Sequence, residues 1–269
     1  MLAAVVQLNT QDDVVLNLSR AREWIARAAS AGAELVTLPE NFAFMGEEAR
    51  KRELAERLDG AFPGPILSAL SEEAAARGVW VLGGGMPEKS DDPARPYNTS
   101  VLVDPKGAIA ATYRKVHLFD VSLPDGTSLR ESAATSAGAE AVTAQVKGVR
   151  VGLSICYDLR FPELYRRLVD QGARIVTVPS AFTLTTGKDH WHALLRARAI
   201  ENQVWVLAAA QHGKHPRGRQ TYGKSLIIDP WGEVVAQASE GEGFAVARLD
   251  FEYQDRVRTS LPSLLHRKW

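Results

Sequence analysis

Residues 149–178 read VRVGLSICYDLRFPELYRRLVDQGARIVTV, and their pattern of apolar residues indicates the fold class. The apolar run 149–155 predicts a buried strand, and residues 162–171 predict a helix that begins at Pro162, a residue suited to a first helical turn. Another apolar run at 175–178 predicts a second strand. A strand, a helix and a strand in this order are typical of an α/β layer, where a helix covers one face of a sheet.

The same alternation occurs in the N-terminal half. An apolar strand is predicted at 2–8 and a buried strand at 35–38. Between them, apolar residues at helical spacing follow the capping candidates Asp12 and Asp13. The other predicted elements are helices at 47–58, 66–77 and 190–202, strands at 79–82, 98–103, 108–113 and 204–210, a hairpin of 226–228 with 234–236, and loops at 83–97 and 117–140. No linker interrupts the series, so we expect one α/β domain over 1–269.

The charge balance and the cysteine count exclude several classes of protein. The 269 residues contain 32 Lys and Arg against 32 Asp and Glu, and a formal charge of zero disfavours broad nucleic-acid binding, which needs a basic excess. The single cysteine cannot form an internal disulfide or a Cys-rich zinc site, and it indicates a reducing compartment. The N-terminus lacks a basic, apolar leader, and no apolar run approaches the roughly 20 residues that span a bilayer. We therefore expect a cytoplasmic protein without a membrane or nucleic-acid partner.

Two short motifs suggest cofactors, and their context disfavours both. Residues 218–225, GRQTYGKS, match a phosphate-binding loop, but the following LIIDPWGEVV predicts a hairpin where such a loop needs a helix. His190 and His192 lie on different sides of a predicted helix, and His212 and His215 have no nearby carboxylate or thiol to complete a site. We therefore expect neither a metal nor another cofactor, and a phosphate-loop ATPase stays as an alternative function.

Cys156 lies at a position that suits a nucleophile. It ends the strand predicted at 149–155 and comes shortly before a helix, at the edge where α/β sheets bind their ligands. A catalytic thiol needs a base and a group that stabilises an oxyanion, and Glu40 and Lys115 each follow the end of a predicted strand. If these strands share one sheet edge, the three side chains converge there. The alternatives are a Cys-His hydrolase and a catalytically silent binding module in which the cysteine is part of the core.

Six segments carry a resemblance over essentially the whole chain, in order. They are LVTLPENF at 35–42, YRKVHLFD at 113–120, GLSICYDLRFPELYR at 152–166, PSAF at 179–182, LLRARAIENQ at 194–203 and YGKSLIIDPWG at 222–232. Together they resemble the nitrilase superfamily of carbon–nitrogen hydrolases, and within it the Nit-type amidases. The resemblance implies a single carbon–nitrogen hydrolase domain over 1–269, with the four-layer α-β-β-α sandwich of the nitrilase type.

The resemblance also implies roles for individual residues in a hydrolase of linear amides. It makes Glu40 the general base, Lys115 the oxyanion stabiliser and Cys156 the nucleophile that forms a thioester acyl-enzyme. Glu131 positions Lys115 and the substrate, and the backbone amide of Tyr157 is a second oxyanion donor. The superfamily pairs its protomers through helices near the cysteine, so we expect a homodimer or a higher homo-oligomer. A small amide and water are the other expected partners.

The expected substrate is a small amide that bears a carboxylate. Residues 208–225 resemble the Nit-type amidases that act on deaminated glutathione, which is the favoured substrate, whereas FTLTTG at 182–187 resembles the ω-amidases that act on α-ketoglutaramate. Another small amide is the remaining alternative. Cations suit carboxylates, although a solvated surface loop accounts for the basic residues at 214–219 almost equally well. The candidate substrate-binding residues are Arg160, Phe182, Thr183, Lys188, Arg217 and Arg219.

Overall fold

The computed structural model describes residues 1–59, 63–122 and 128–268. The helices are α1 (Val14–Ser30), α2 (Glu48–Glu53), α3 (Pro65–Arg77), α4 (Pro162–Asp170), α5 (Leu184–Asn202) and α6 (Phe251–Ser260). The strands are β1 (Leu2–Gln7), β2 (Leu35–Thr37), β3 (Trp80–Glu88), β4 (Tyr97–Val103), β5 (Ile109–Arg114), β6 (Asp120–Ser122), β7 (Ser128–Arg130), β8 (Thr143–Val146), β9 (Val149–Leu153), β10 (Ile175–Thr177), β11 (Trp205–Ala208), β12 (His212–Lys214), β13 (Gln220–Tyr222), β14 (Leu226–Ile228), β15 (Val234–Gln237) and β16 (Gly243–Arg248). Single turns of 3-10 helix occupy Glu131–Ala133, Cys156–Arg160 and Pro216–Gly218.

Two six-stranded sheets form the centre of the molecule. The first has the order β16-β1-β2-β3-β4-β5, and the second has the order β15-β14-β11-β10-β9-β8. The inner strands β1, β2 and β3 are parallel to one another, as are β9, β10 and β11. The stretch 149–178 therefore forms a parallel pair of strands joined by a helix, as its pattern predicts.

The side chains of the strands alternate between two apolar layers. In β1, Ala3 and Val5 lie between the sheets with residues of the second sheet, whereas Ala4 and Val6 pack against the first pair of helices. Those helices are α1 and α3, which contribute Ile25 among others. On the outer face of the second sheet, α4 and α5 bury apolar side chains in the same way. This arrangement is a four-layer α-β-β-α sandwich, and the predicted fold class is confirmed.

Local signals explain where several helices begin. Asp13 caps α1, because its side chain accepts a hydrogen bond of 3.0 Å from the backbone N–H of Leu16. Pro162 occupies the first turn of α4. The helix predicted at 190–202 instead begins at Leu184, six residues earlier, where the Thr183 side chain accepts from the backbone N–H of Thr186. The strand β16 and the helix α6 have no counterpart among the sequence predictions.

The loop predicted at 83–97 is wrong in its first part. The strand β3 runs through to Glu88, which pairs with Tyr97 of the neighbouring strand. Three consecutive glycines at 83–85 concealed this strand, since glycine has a low β propensity. Gly84 allows β3 to pack closely against the backbone of Leu38, because a Cβ atom at this position would lie 2.0 Å from the Leu38 carbonyl oxygen. In the loop predicted at 117–140, β6 pairs with β7, and residues 123–127 lie outside the described residues.

A search of the described residues finds no helix with the length and apolar character that crossing a membrane requires.

Candidate active site

Three strands deliver Glu40, Lys115 and Cys156 to one edge of the sandwich. These residues follow the ends of β2, β5 and β9, respectively. Because β4 is antiparallel to both β3 and β5, β5 runs in the same direction as β2 and β3, and their carboxyl ends lie at one edge. The three side chains and that of Glu131 line a single cavity. The structure therefore brings all four residues together.

Lys115 lies between two carboxylates. Its Nζ donates to Glu40 Oε1 at 2.9 Å and to both carboxylate oxygens of Glu131, at 3.0 and 2.9 Å. Only 2% of Lys115 and 3% of Glu40 is exposed to solvent, so this ion-pair network is held away from water. Asn98 donates from Nδ2 to the same oxygen of Glu40 (3.0 Å), and the backbone N–H of Ala181 donates to the other oxygen (3.0 Å). The Glu40 carboxylate thus has a partner at each oxygen, which fixes its orientation.

The protonation states follow from burial and from these neighbours. Burial by itself would raise the pKa of Glu40, but the charge and the hydrogen bond of Lys115 outweigh it and hold the pKa below its usual value. Burial would lower the pKa of Lys115, but the charges of Glu131 and Glu40 outweigh that effect and raise the pKa well above its usual value. At neutral pH Lys115 is therefore an ammonium and Glu40 a carboxylate.

Cys156 occupies a sharp turn between a strand and a helix. Its φ angle is 49°, in the left-handed region that residues other than glycine rarely adopt, and it opens the 3-10 turn Cys156–Arg160. Its backbone N–H donates to the carbonyl of Pro179 at 2.9 Å, which holds the turn in place. Among the described residues, no acceptor is found for the next backbone N–H, that of Tyr157. The turn thus presents the thiol and one unused donor side by side.

The thiol of Cys156 is protonated at neutral pH. Burial raises its pKa most, the charge of Glu40 raises it further, and the opposing charge of Lys115 does not compensate. The thiol and the Glu40 carboxylate line the same cavity, and Glu40 is close enough to contribute to this shift in pKa. A proton can therefore move from Cys156 to Glu40 at the moment when the sulfur attacks, although no thiolate is formed beforehand.

A buried carboxylate, which the sequence analysis missed, links the elements that carry Cys156 and Lys115. Asp158 has no exposed surface and accepts hydrogen bonds from the backbone N–H of Ile155 (2.8 Å) and the hydroxyl of Tyr113 (2.7 Å). It also accepts from the backbone N–H of His117 (3.1 Å), whose ring Nδ1 lies 2.7 Å from the same oxygen. No local sequence signal marks the contacts with His117 and Tyr113, because they join residues 41 and 45 positions apart.

The predicted substrate-binding residues divide into two groups. Arg160, Phe182, Thr183 and Arg219 line the cavity. Lys188 is exposed on α5, and Arg217 is paired with Glu47 at 3.7 Å on the surface, so neither is among the described residues that line the cavity. The sequence analysis did not single out several other lining residues, namely Asn41, Glu48, Lys51, Phe119, Leu129, Arg130, Ala181 and Thr186. Five of them lie on α2, β7 and α5 and three lie in loops, and the local sequence does not indicate that these segments meet at the cavity.

The two motifs that suggested cofactors have other structural roles. Ser225 leads into the strand β14 rather than into a helix, and Lys224 of the same motif is paired with Glu240. The ring of buried His215 lies between the carbonyl of Thr10 and the hydroxyl of Thr221, at 2.8 and 2.6 Å. Within the described residues, no group of three His, Cys, Asp or Glu side chains has the geometry to hold a metal ion.

Comparisons with known proteins agree over almost the full length. The model of the family described as carbon-nitrogen hydrolase matches residues 2–259. The deaminated glutathione amidase of Synechocystis sp. is 46% identical over 99% of this chain and 97% of its own. Among solved structures, the NitFhit protein of C. elegans has a TM-score of 0.91 at 41% identity, covering 99% of this chain and 65% of that one. Saccharomyces cerevisiae Nit3, a member of branch 10 of the nitrilase superfamily, has a TM-score of 0.88 at 35% identity, covering 97% and 94%.

Proposed function

The chain belongs to the carbon–nitrogen hydrolase family, and we propose from that premise that it is an amidase whose substrate is deaminated glutathione. The observation that carries the proposal is the buried network in which the ammonium of Lys115 and the carboxylate of Glu40 adjoin the only cysteine. A thiol, a base and a fixed cation together supply what acyl transfer from an amide requires. The relatives named deaminated glutathione amidase, in Synechocystis and in mammals, support the substrate.

In the first step Cys156 attacks the amide carbonyl. Its thiol proton passes to Glu40 as the carbon–sulfur bond forms, and the carbonyl oxygen becomes an oxyanion. Lys115 Nζ and the backbone N–H of Tyr157 stabilise that oxyanion. A preorganised donor of this kind contributes about 3–4 kcal/mol to the stabilisation of the transition state. The charges of Glu131 and Glu40 raise the pKa of Lys115 well above its usual value, so Lys115 is positively charged when the attack begins.

In the second step the carbon–nitrogen bond breaks and the thioester is hydrolysed. Glu40, now protonated, gives its proton to the departing amine, which leaves the acyl group bound to Cys156. Glu40 then removes a proton from water, and the hydroxide attacks the thioester carbonyl. The carbon–sulfur bond breaks, the carboxylic acid leaves, and Glu40 returns its proton to the sulfur, which restores the thiol. One base therefore serves both halves of the reaction, and its dual contact with Lys115 and Asn98 keeps it in position.

Glu131 has a positioning role in this proposal. Its carboxylate accepts from Lys115 through both oxygens and from the backbone N–H of Phe119 at 2.7 Å. These bonds hold Lys115 at one place in the wall of the cavity. Arg160, Phe182, Thr183 and Arg219, which line the same cavity, provide two cations and an apolar surface for a substrate with carboxylates.

α-Ketoglutaramate is the second candidate substrate. The segment 182–187, which resembles the ω-amidases, contributes Phe182, Thr183 and Thr186 to the wall of the cavity. Both candidates contain the same α-ketoglutaryl group and differ in the amine that leaves. The resemblance of this segment to the ω-amidases therefore supports an α-ketoglutaryl acyl group, but it does not distinguish between the two leaving amines.

We also propose that the protein is a cytoplasmic homodimer or a higher homo-oligomer. Exposed apolar side chains on the α5 side of the second sheet support a contact there: Ile200 is 47% exposed and Trp231 is 54% exposed. Sedimentation velocity at micromolar concentration tests the assembly, and a monomer at all concentrations would contradict it.

The test of function compares both substrates in parallel. Two reactions are measured with the wild type and with Cys156→Ala. They are the release of cysteinylglycine from deaminated glutathione and the release of ammonia from α-ketoglutaramate. We expect a higher kcat/KM for deaminated glutathione and no turnover in the variant. Turnover by Cys156→Ala would contradict the mechanism, whereas a higher kcat/KM for α-ketoglutaramate would contradict only the substrate.

A further inference from the structure

We propose that Arg219 binds the carboxylate at the acyl end of the substrate, and so selects ω-amides of dicarboxylic acids. The inference rests on the proposed function, since it assigns a role within the same cavity. It concerns the acyl group, which deaminated glutathione and α-ketoglutaramate share, and it does not depend on the leaving group.

The fold carries Arg219 from a surface loop to the catalytic edge. Arg219 directly precedes β13, whose Tyr222 donates from its backbone N–H to the carbonyl of Phe182 at 3.0 Å. The neighbouring Thr221 forms a β-bridge with Thr183. Ala181, two residues before Thr183, is the residue whose backbone N–H holds Glu40. The guanidinium therefore enters the cavity beside the segment that orients the base.

Buried His215 fixes the loop that precedes Arg219. Its backbone N–H donates to the carbonyl of Arg219 at 2.8 Å, and its ring bridges Thr10 and Thr221. The loop thus has contacts on both sides, with the N-terminal segment and with β13. Arg219 is held by backbone and side-chain contacts and does not depend on an ion pair for its position.

The guanidinium of Arg219 has no carboxylate partner among the described residues, unlike two other cations of the cavity. Lys115 has two glutamates, and Lys51 is paired with Glu48 at 3.0 Å. The Nε atom of Arg219 is buried and has no hydrogen-bond partner within the part of the chain that the structure describes. A buried donor without an acceptor is unfavourable, and a planar guanidinium matches a carboxylate through two parallel hydrogen bonds. An anionic ligand group would satisfy this atom. The positive charge of Arg219 also helps to lower the pKa of Glu40.

The depth of Arg219 indicates which end of the substrate it binds. The acyl group stays attached to Cys156 until the thioester is hydrolysed, while the amine has to leave and be replaced by water. An anchor with a buried Nε suits the part that stays. Arg130 also lines the cavity but is exposed to solvent, which suits contact with a leaving group better than with the bound acyl group.

The test uses two amides of equal length. Glutaramate carries a carboxylate at the acyl end, and pentanamide replaces that carboxylate with a methyl group. We expect Arg219→Gln to lower the ratio of kcat/KM for glutaramate to kcat/KM for pentanamide by about 10- to 100-fold, the range of a lost charged hydrogen bond, mainly through KM. Arg217→Gln is the matched control: it removes an exposed guanidinium two residues away, and the ratio should stay within about twofold of the wild type. An unchanged ratio in Arg219→Gln overturns the inference.

A binding measurement separates this inference from the proposed function. Titration calorimetry follows the binding of glutarate to Cys156→Ser, with and without the additional Arg219→Gln change. We expect the change to weaken glutarate binding at least tenfold. Equal affinity, or no saturable binding in Cys156→Ser, overturns the role of Arg219. A wild-type protein that hydrolyses no amide, but whose glutarate binding depends on Arg219, would overturn the proposed function alone.

Discussion

Lys115 forms buried ion pairs with Glu40 and Glu131, and we expect its replacement to affect both activity and stability. In Lys115→Met the oxyanion loses its cationic donor, and Glu40 and Glu131 lose their counterion. We expect kcat to fall at least 100-fold and the free energy of unfolding to fall by about 3 kcal/mol, since an unpaired buried charge is costly. Steady-state kinetics and urea denaturation check the two effects.

Glu131→Gln serves as the comparison for Lys115→Met. The Glu131 side chain is 17% exposed and Glu40 still pairs with Lys115 in this variant, so its stability should fall less. Equal loss of stability in the two variants would contradict the central place of Lys115 in the network.

The single cysteine makes its own ionisation measurable. Because burial and Glu40 raise the pKa of Cys156, alkylation by iodoacetamide should be slow at pH 7 and keep rising through pH 9 without a plateau. Mass spectrometry reports this thiol alone, since the chain has no other cysteine. A plateau near pH 6 or 7 would instead indicate a preformed thiolate, as in a Cys-His hydrolase.

At the scale of elements, the turn that follows β9 depends on Asp158. Its side chain accepts from the backbone of Ile155, just before Cys156, and from Tyr113 and His117, on either side of Lys115. The bond network therefore sets the spacing between two strands as well as the shape of the turn.

Asp158→Ala should lower both stability and kcat. The change leaves several buried donors without an acceptor, so we expect a loss of about 3 kcal/mol in the free energy of unfolding and a fall in kcat of more than tenfold. Tyr113→Phe removes one bond of the same network and should cost about 1 kcal/mol. Urea denaturation and initial rates measure the pair, and a larger effect of Tyr113→Phe would refute this assignment.

The elements also explain how far the sequence could predict the site. Glu40, Lys115 and Cys156 were predictable as a group because apolar runs mark strands, and each residue follows a strand end. Asn98 belongs to no motif that would indicate a role in the site, and its contact with Glu40 joins residues 58 positions apart. Lys188 was expected near the substrate, but the early start of α5 places it within an exposed part of that helix. Contacts that depend on loop paths or helix starts have no local signal.

At the scale of the whole molecule, His215 connects distant parts of the chain. Its ring Nδ1 donates to the carbonyl of Thr10, 205 positions away, and its Nε2 accepts from Thr221. Burial lowers its pKa to about 4 from the usual 6.5. Above pH 6.5 the ring is neutral in the folded and the unfolded chain. As the pH decreases from 6.5 to 4, His215 gains a proton in the unfolded chain but not in the folded chain. The free energy of unfolding therefore decreases as the pH decreases over this range.

The expected loss from His215 is about 2 kcal/mol in the free energy of unfolding between pH 7 and pH 5. The variant His215→Gln lacks the titrating ring and should lose less stability over the same interval. Urea denaturation of both proteins at the two pH values measures the difference. An identical loss in the variant would show that other groups cause the acid sensitivity.

The pairing of β1 with β16 has a consequence for synthesis in the cell. Leu2 is opposite Arg248, so β1 leaves the ribosome more than 200 residues before the strand that pairs with it. Until then its backbone donors and acceptors on that side are unpaired, and an open strand edge is a template for aggregation. The first sheet, which carries Glu40 and Lys115 at one edge, is completed only after β16 has emerged. Any chaperone that protects the nascent chain has to release it after residue 248 has emerged.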